Sequence, residues 1–323
     1  MPRVRTGKLR RVIAAATFLS AAFFPSLAAA FSVSQVTVEP VGDFVVEPAK
    51  IELTLEPGET VTKTLTVTSR ISGETDFSIS LEDFLGTDNG SYAVRLLGDQ
   101  VSPYSFRSAI HPDADSFSLG FGERAVVSVE IAAPEAAAPG GYYTSVVIAG
   151  DPRGDSLDEG GGAKVVSRVA QLLFVRVDGE VEEGGALLDF RLSPPGFFRS
   201  GGPFQFEALF QNTGNVHLAP YGSVTVRNLV GSTVAEVPVD AYYAMPKSMR
   251  YRTVEWLGKP MMLGYYTAEI ELYKGYGDED DTAKATVSFL VVPWLYLGLA
   301  ASALLLLWLS TRYVRRNFEL KRR

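Results

Sequence analysis

Two histidines, His111 and His217, and no cysteine are all that the 323 residues offer to imidazole or thiol chemistry. That excludes a thiol nucleophile and a three-histidine metal site. A serine nucleophile would need a positioned histidine, yet no G-x-S-x-G elbow occurs and neither histidine sits near a serine in a suggestive context. No phosphate-binding loop or dinucleotide fingerprint is present, and Gly160, Gly161 and Gly162 read as a flexible hairpin tip. Asp278-Glu279-Asp280-Asp281 lacks the ordered ligand spacing of a calcium loop and reads as a solvated tip. Asp88-Asn89-Gly90 is a turn signal and needs no metal. Carboxylate pairs such as Asp83 and Asp99 exist, but acids are too abundant for a pair to mark a wall hydrolase. The residues therefore point to a non-enzymatic protein without a cofactor. Arg153-Gly154-Asp155 is an adhesion-type tripeptide in an exposed, glycine-rich loop.

Aromatics are the better lead. Tyr142-Tyr143, Tyr242-Tyr243 and Tyr265-Tyr266 are adjacent pairs. Neighbours on a strand face opposite ways, so one ring of each pair is expected to point outward. Outward tyrosines can stack on sugars or anchor a protein partner. Tyr142, Tyr143, Tyr265 and Tyr266 are accordingly the candidate binding residues, weighed against plain cross-strand packing.

The elements that must carry these residues are strands. KIELTLEPGETVTKTLTVTS (50–69) alternates apolar and polar residues on both sides of a Pro-Gly-Glu turn. DFSISLEDF, SYAVRLL, RAVVSVEIAAP, YYTSVVIAG and VVSRVAQLLFVRVDGE continue the pattern. After GEVEEGGALLDF, about seven further strand-like runs follow, an immunoglobulin-like number. GYYTSVVI (141–148) and GYYTAEIEL (264–272) share a motif and read as equivalent strands of two related units. The predicted fold is all-β, with two tandem immunoglobulin-like antiparallel β-sandwich domains. The expected boundaries are 31–180 and 181–288.

Both ends of the chain read as export and membrane signals. Arg3, Arg5, Lys8, Arg10 and Arg11 precede an apolar run and an Ala28-Ala29-Ala30 cleavage site, so 1–30 is expected to be a signal peptide. Residues 289–310 contain no charge, and such a length of helix spans about 33 Å, enough to cross a hydrocarbon core. Trp294 and Tyr296 at one end, and Trp308 and Tyr313 at the other, are expected to sit at the membrane interfaces. Arg312, Arg315 and Arg316 open a basic tail (311–323) that belongs on the cytoplasmic side, where it meets anionic lipid. Setting aside the five N-terminal basic residues, and the six basic and one acidic residue after the helix, leaves 19 basic against 36 acidic residues. A net charge so negative argues against nucleic acid as a partner.

VEPAKIELTLEPGETVTKTLTVTS, PGGYYTSVVIAG and VVSRVAQLLFVRVDGEV resemble the N-terminal module of the WxL-interacting surface proteins of bacteria. QNTGNVHLAPYGSVTVRN, MPKSMRYRTVEWLGKP and GYYTAEIELYKG resemble their second, Ig-like module. The order of signal peptide, two β modules, membrane helix and basic tail is also similar. The resemblance implies a single-pass protein of the bacterial plasma membrane, with its N-terminal part outside and its C-terminus cytoplasmic. Its first module would bind peptidoglycan; the partner is a cell-wall polymer or another surface protein. The alternative is a structural anchor or chaperone-like assembly partner that accepts a strand at a sheet edge. Neither ligand identity nor oligomeric state follows from the residues.

Overall fold

The computed structural model describes residues 31–153, 166–259, 262–275 and 282–317. The expected signal peptide, the Gly160 tip, the acidic run from Asp278, and Gly154 and Asp155 lie outside the described residues. So do Lys321, Arg322 and Arg323.

The chain is mostly β. The first set of strands is β1 (Ser32–Gln35), β2 (Phe44–Glu47), β3 (Lys50–Leu55), β4 (Thr60–Ser69), β5 (Thr75–Leu85), β6 (Arg95–Leu96), β7 (Ile110–Pro112), β8 (Ser116–Leu119), β9 (Glu123–Ala132), β10 (Gly140–Pro152) and β11 (Ser167–Val177). One sheet runs β1-β9-β4-β2, with β7 also on β9; the other runs β3-β11-β10-β5-β6, with β8 also on β5. The alternation seen in the sequence decides the packing. Leu65 and Val67 of β4, and Val127, Val129 and Ile131 of β9, face Phe77, Val146, Ile148, Leu173 and Val175 across the sandwich, all buried. Each such side chain stabilises the fold by roughly 1.5–3 kcal/mol relative to exposure. Gly58 supplies the positive φ of the Pro-Gly-Glu turn between β3 and β4.

The second set is β12 (Gly185–Ser193), β13 (Phe198–Arg199), β14 (Phe204–Asn212), β15 (Tyr221–Asn228), β16 (Thr233–Val239), β17 (Met249–Trp256), β18 (Gly264–Tyr273) and β19 (Thr282–Val291). A sheet β12-β14-β17 faces a sheet β13-β19-β18-β15-β16. Phe204, Phe206, Phe210 and Phe289 fill its core. The two larger sheets share an order. The last long strand (β11 or β19) pairs antiparallel with the G-Y-Y-T strand (β10 or β18) on one side and parallel with an early strand (β3 or β13) on the other.

A helix, α1 (Trp294–Asn317), ends the described chain. It starts at Trp294 instead of residue 289, because Phe289, Leu290 and Val291 complete β19 and Phe289 is fully buried in the sheet core. Pro293, which has no N–H to give a ladder, separates strand from helix. The SYAVRLL run also differs from expectation: only Arg95 and Leu96 pair, as β6. The segment before them leaves its own sheet to lie along β17. Met249 donates its N–H to the Thr87 carbonyl and Tyr251 donates to Gly90, at 3.1 and 3.2 Å.

Candidate functional site

Part of the outer face of the sheet β3-β11-β10-β5 is covered by the second strand set. Phe84 of β5, Tyr143 of β10 and Phe174 of β11 point away from their own core and form a cluster with Met245 of the second strand set. Tyr143 lies 5.8 Å from Phe84 and 5.6 Å from Phe174, ring to ring. Two glycines permit the close approach: a Cβ at Gly86 would meet Ser248 Oγ at 2.2 Å, and one at Gly90 would meet the Tyr251 ring at 2.9 Å.

A polar network rims this cluster. The Asn-Thr-Gly-Asn stretch that begins on the last residue of β14 builds the turn that presents His217. Asn212 is buried and its side-chain N–H groups donate to the carbonyls of Val216 and Ala244, both at 2.8 Å, while its Oδ1 accepts from Gly214. His217 is buried, because the two strand sets meet there. Its backbone N–H donates to the Tyr143 hydroxyl at 2.6 Å, its Nδ1 lies 3.2 Å from the same hydroxyl, and its Nε2 lies 3.0 Å from Glu52 Oε1. Burial pushes the imidazole below its ordinary value, against the pull of Glu52. A neutral ring with the proton on Nε2 satisfies every contact: Nε2–H donates to Glu52, and Nδ1 accepts from the Tyr143 hydroxyl. Burial would raise the Glu52 carboxyl, but hydrogen bonds from Lys50 and His217 outweigh it and hold the group low. Lys50 pairs with Glu52 at 2.9 Å, touches the Tyr243 hydroxyl, and sits 4.3 Å from the centre of the Tyr243 ring. This set has a histidine, a carboxylate and a tyrosine, but every group is consumed in joining one strand set to the other. It is a junction, with no nucleophile facing an open cleft.

The tyrosine pairs are therefore placed differently from expectation. Tyr143 does point outward from its sheet, as alternation requires, yet the second strand set covers it completely. Tyr142 turns inward, packs against Phe106 at 4.8 Å and donates its hydroxyl to the Ala138 carbonyl. Tyr266 belongs to the second core, stacked on Phe289. Tyr265 is half-buried, 6.3 Å from Phe197. The four rings do not share a surface. Asp83 is also structural: it is buried, accepts from Thr144 and Ser102, and pairs with Arg107 at 3.2 Å. Arg153 is engaged by Glu74 and Asp76. Among the described residues no group of three or more His, Cys, Asp or Glu is placed to hold a metal.

A second feature escaped sequence reading because it is defined by absence of a neighbour. β10 pairs with all of β11, but β3 pairs only with Leu172–Val177. Among the described residues, no strand pairs with Ser167–Gln171 on the side away from β10. Leu172 donates its N–H to the Ala49 carbonyl on that side, so the alternating backbone of Arg168 and Ala170 faces the same way. β1, β2, β6, β7, β8 and β13 are short edges of two to four residues, β12 carries a bulge at Leu187/Asp189, and β16 carries Pro238 and a register shift; among the described residues the outer side of β3, residues 60–65 of β4 on the side away from β9, and residues 282–289 of β19 on the side away from β18 are likewise not paired with a strand. Along β17 the bridge from Thr87 occupies part of the edge.

α1 is long and apolar enough to cross a membrane, and its span from Trp294 to Arg316 is not buried by the rest of the protein. Trp294, Tyr296, Trp308 and Tyr313 are exposed, with Arg312 5.5 Å from the Trp308 ring. Arg315 and Arg316 lie in its last turn. The hydroxyls of Ser302 and Thr311 donate to carbonyls of their own helix, at 2.8 and 2.9 Å.

No protein-family model and no curated protein matches the chain. Among solved structures, it is similar to the class 5 fimbriae chaperone CfaA, at 13% identity and a TM-score of 0.39 over 78% of this chain and 100% of the other. It is also similar to a Salmonella enterica structure of the SafA pilin in complex with the SafB chaperone, at 13% identity and a TM-score of 0.36, covering 79% and 100%. A third is the CsuC-CsuE chaperone and tip subunit complex of Acinetobacter baumannii, at 9% identity and a TM-score of 0.36, covering 77% and 99%. The likeness is one of β-sandwich arrangement.

Proposed function

We propose that the chain is a single-pass membrane protein of the bacterial surface that works without catalysis, by accepting a strand from a partner surface protein along the open edge of β11. The two strand sets are its two modules. Its membership in the WxL-interacting group is proposed on the stretches quoted above. One observation carries the reading: Arg168 and Ala170 offer ladder hydrogen-bonding groups on a side of β11 where β3 has not yet begun, the geometry of strand addition. The neighbouring Val166 is exposed, which gives an incoming strand apolar surface beside the ladder. The competing reading, a wall-polymer binder using outward tyrosines, has less support, since Tyr143 and Tyr266 are covered.

The test uses the full-length chain with a photoreactive side chain at Val166, in cells, with and without Ala170→Pro. The Ala170 N–H faces the open edge, so proline there removes no bond to β10 and the fold is expected to survive. Cross-links to a surface protein should appear and should disappear with Ala170→Pro. Persistence of those cross-links in the proline variant would sink strand addition. Saturable co-sedimentation with polymer-stripped sacculi, unaffected by Ala170→Pro, would instead favour the wall-polymer reading.

A further inference from the structure

We infer that the end of the second sandwich nearest α1 is itself a lipid-docking surface, on which two loops and a short strand dip apolar side chains into the membrane interface; this rests on the reading of α1 as a membrane helix. The tether is short. Val292 still donates its N–H to the Arg199 carbonyl at 2.7 Å, so only Pro293 lies between the last sheet hydrogen bond and the first helical residue, Trp294. Two residues of chain reach about 7 Å, no more than the thickness of one headgroup layer. Whatever projects from this end of the sandwich is at the height of the headgroups.

Ladder register shows what projects. Asn228 pairs with Tyr266 and Tyr266 pairs with Phe289, so the β15–β16 hairpin tip points to the α1 end. The tip is Leu229-Val230, 77% and 81% exposed. It is an ordered turn, closed by a bond from the Gly231 N–H to the Asn228 carbonyl and another from the Ser232 N–H to Asn228 Oδ1. Tips of this kind ordinarily take polar residues. Trp256 pairs with Phe204, whose ring lies 5.2 Å from Phe289, so the chain after β17 emerges at the same end with Leu257 78% exposed. Leu263, just before β18, is exposed, as are Phe197 and Phe198, the latter paired to Leu290. Three separate chain segments thus bring exposed apolar side chains to one end. Exposed apolar residues gathered this way mark an interaction surface, and continuity with α1 names the occupant as the bilayer. The opposite end of this sandwich, at Asn215 and His217, is taken by the first strand set.

The consequence is that the protein does not swing freely on its helix. With five or six apolar side chains seated beside α1, the sandwich is held at a fixed pose, and the β11 edge is presented at a set height and direction.

Because the chain has no native cysteine, single cysteines can report depth. Val230→Cys, Leu257→Cys, Leu304→Cys in mid-helix, and Val41→Cys in the first strand set are each labelled with a polar fluorophore in the full-length protein, in liposomes containing a lipid quencher placed near the headgroup or deep in the acyl chain. The shallow quencher should dim Val230→Cys and Leu257→Cys strongly and leave Val41→Cys unchanged, with Leu304→Cys dimmed by the deep quencher. Dimming at Leu304→Cys with no effect at Val230→Cys and Leu257→Cys would overturn the docking while leaving the anchor intact. No dimming even at Leu304→Cys would remove the anchor reading, and the docking with it.

Discussion

β10 and β18 occupy the same place in two sheets of the same order, and both carry Gly-Tyr-Tyr-Thr near their start, yet the motif is one residue out of step between them. Gly140 pairs with Val177 at the end of β11, and Gly264 pairs with Val291 at the end of β19. Matching the strands by these ends sets Tyr142 against Tyr266, whereas matching the motif sets Tyr142 against Tyr265. A single-residue offset turns every side chain to the other face. Tyr143 consequently leaves its own core and enters the junction, while Tyr266 enters the core and Tyr265 faces outward. The extra glycine of Pro-Gly-Gly-Tyr-Tyr accounts for the slip, and it serves the junction directly: a Cβ at Gly141 would lie 2.0 Å from the Tyr143 hydroxyl. The same four letters thus build a joint in one sheet and a core plus a flank in the other.

The largest expected effect tests this contrast directly. Tyr143→Ala removes a fully buried ring and both contacts of its hydroxyl to His217. It should cost about 3–5 kcal/mol in chemical denaturation. Tyr265→Ala, at a half-buried flank, should cost less than about 1 kcal/mol. Equal losses at the two positions would mean that the motif, and not the one-residue offset, decides burial.

Much of the fold was legible in the sequence. The alternating runs gave the long strands of both sets, since period-two patterning is set by each strand's own two faces. In the second set each anticipated run is a strand, β12 and β14 through β19. The junction was not legible. Its pieces, Glu52, Tyr143, His217 and Tyr243, lie up to 191 residues apart, and nothing local to any of them encodes the others. Alternation correctly sent one ring of the Tyr142-Tyr143 pair outward, but it says neither which ring nor what covers an outer face. The helix start was misread for a related reason: Phe289 and Leu290 are as apolar as the helix that follows, and only pairing with β18 tells them apart. The open stretch of β11 was equally hidden, because it depends on where β3 starts.

A smaller effect separates the ring of Tyr143 from its hydroxyl. Tyr143→Phe keeps the aromatic cluster with Phe84 and Phe174 but leaves the His217 backbone N–H without its acceptor in a buried site. Losing one such partner costs about 1–3 kcal/mol. The loss should fall on the junction, so limited proteolysis between residues 177 and 185 should quicken. Unchanged cleavage there, with an overall loss as large as for Tyr143→Ala, would show that the hydroxyl supports the first core and not the joint.

The smallest effect comes from protons. His217 is held below its ordinary value of 6.5 by burial, and Glu52 below 4.5 by its hydrogen bonds with Lys50 and His217. With the two strand sets apart, His217 loses its burial, returns to its ordinary value and binds protons more readily. The separated state therefore takes up more protons on acidification, and the junction weakens as the pH falls. For His217 the weakening begins near pH 6.5 and continues through its lower value in the joined state. Lys50 has the opposite sign: burial would lower it, but its bonds to Tyr243 and Glu52 hold it above 10.5, so its contribution is intact across this range and is lost only as the pH rises through that raised value. Proteolytic opening of the 177–185 segment, followed from pH 7.5 to 5.5, should accelerate in the native protein. His217→Gln retains a neutral side chain that does not titrate, and should flatten the profile at some cost to the baseline. The core around β18 contains no histidine, so it should be insensitive over the same interval. A steep acid response that survives His217→Gln would move the origin of the pH dependence away from the junction.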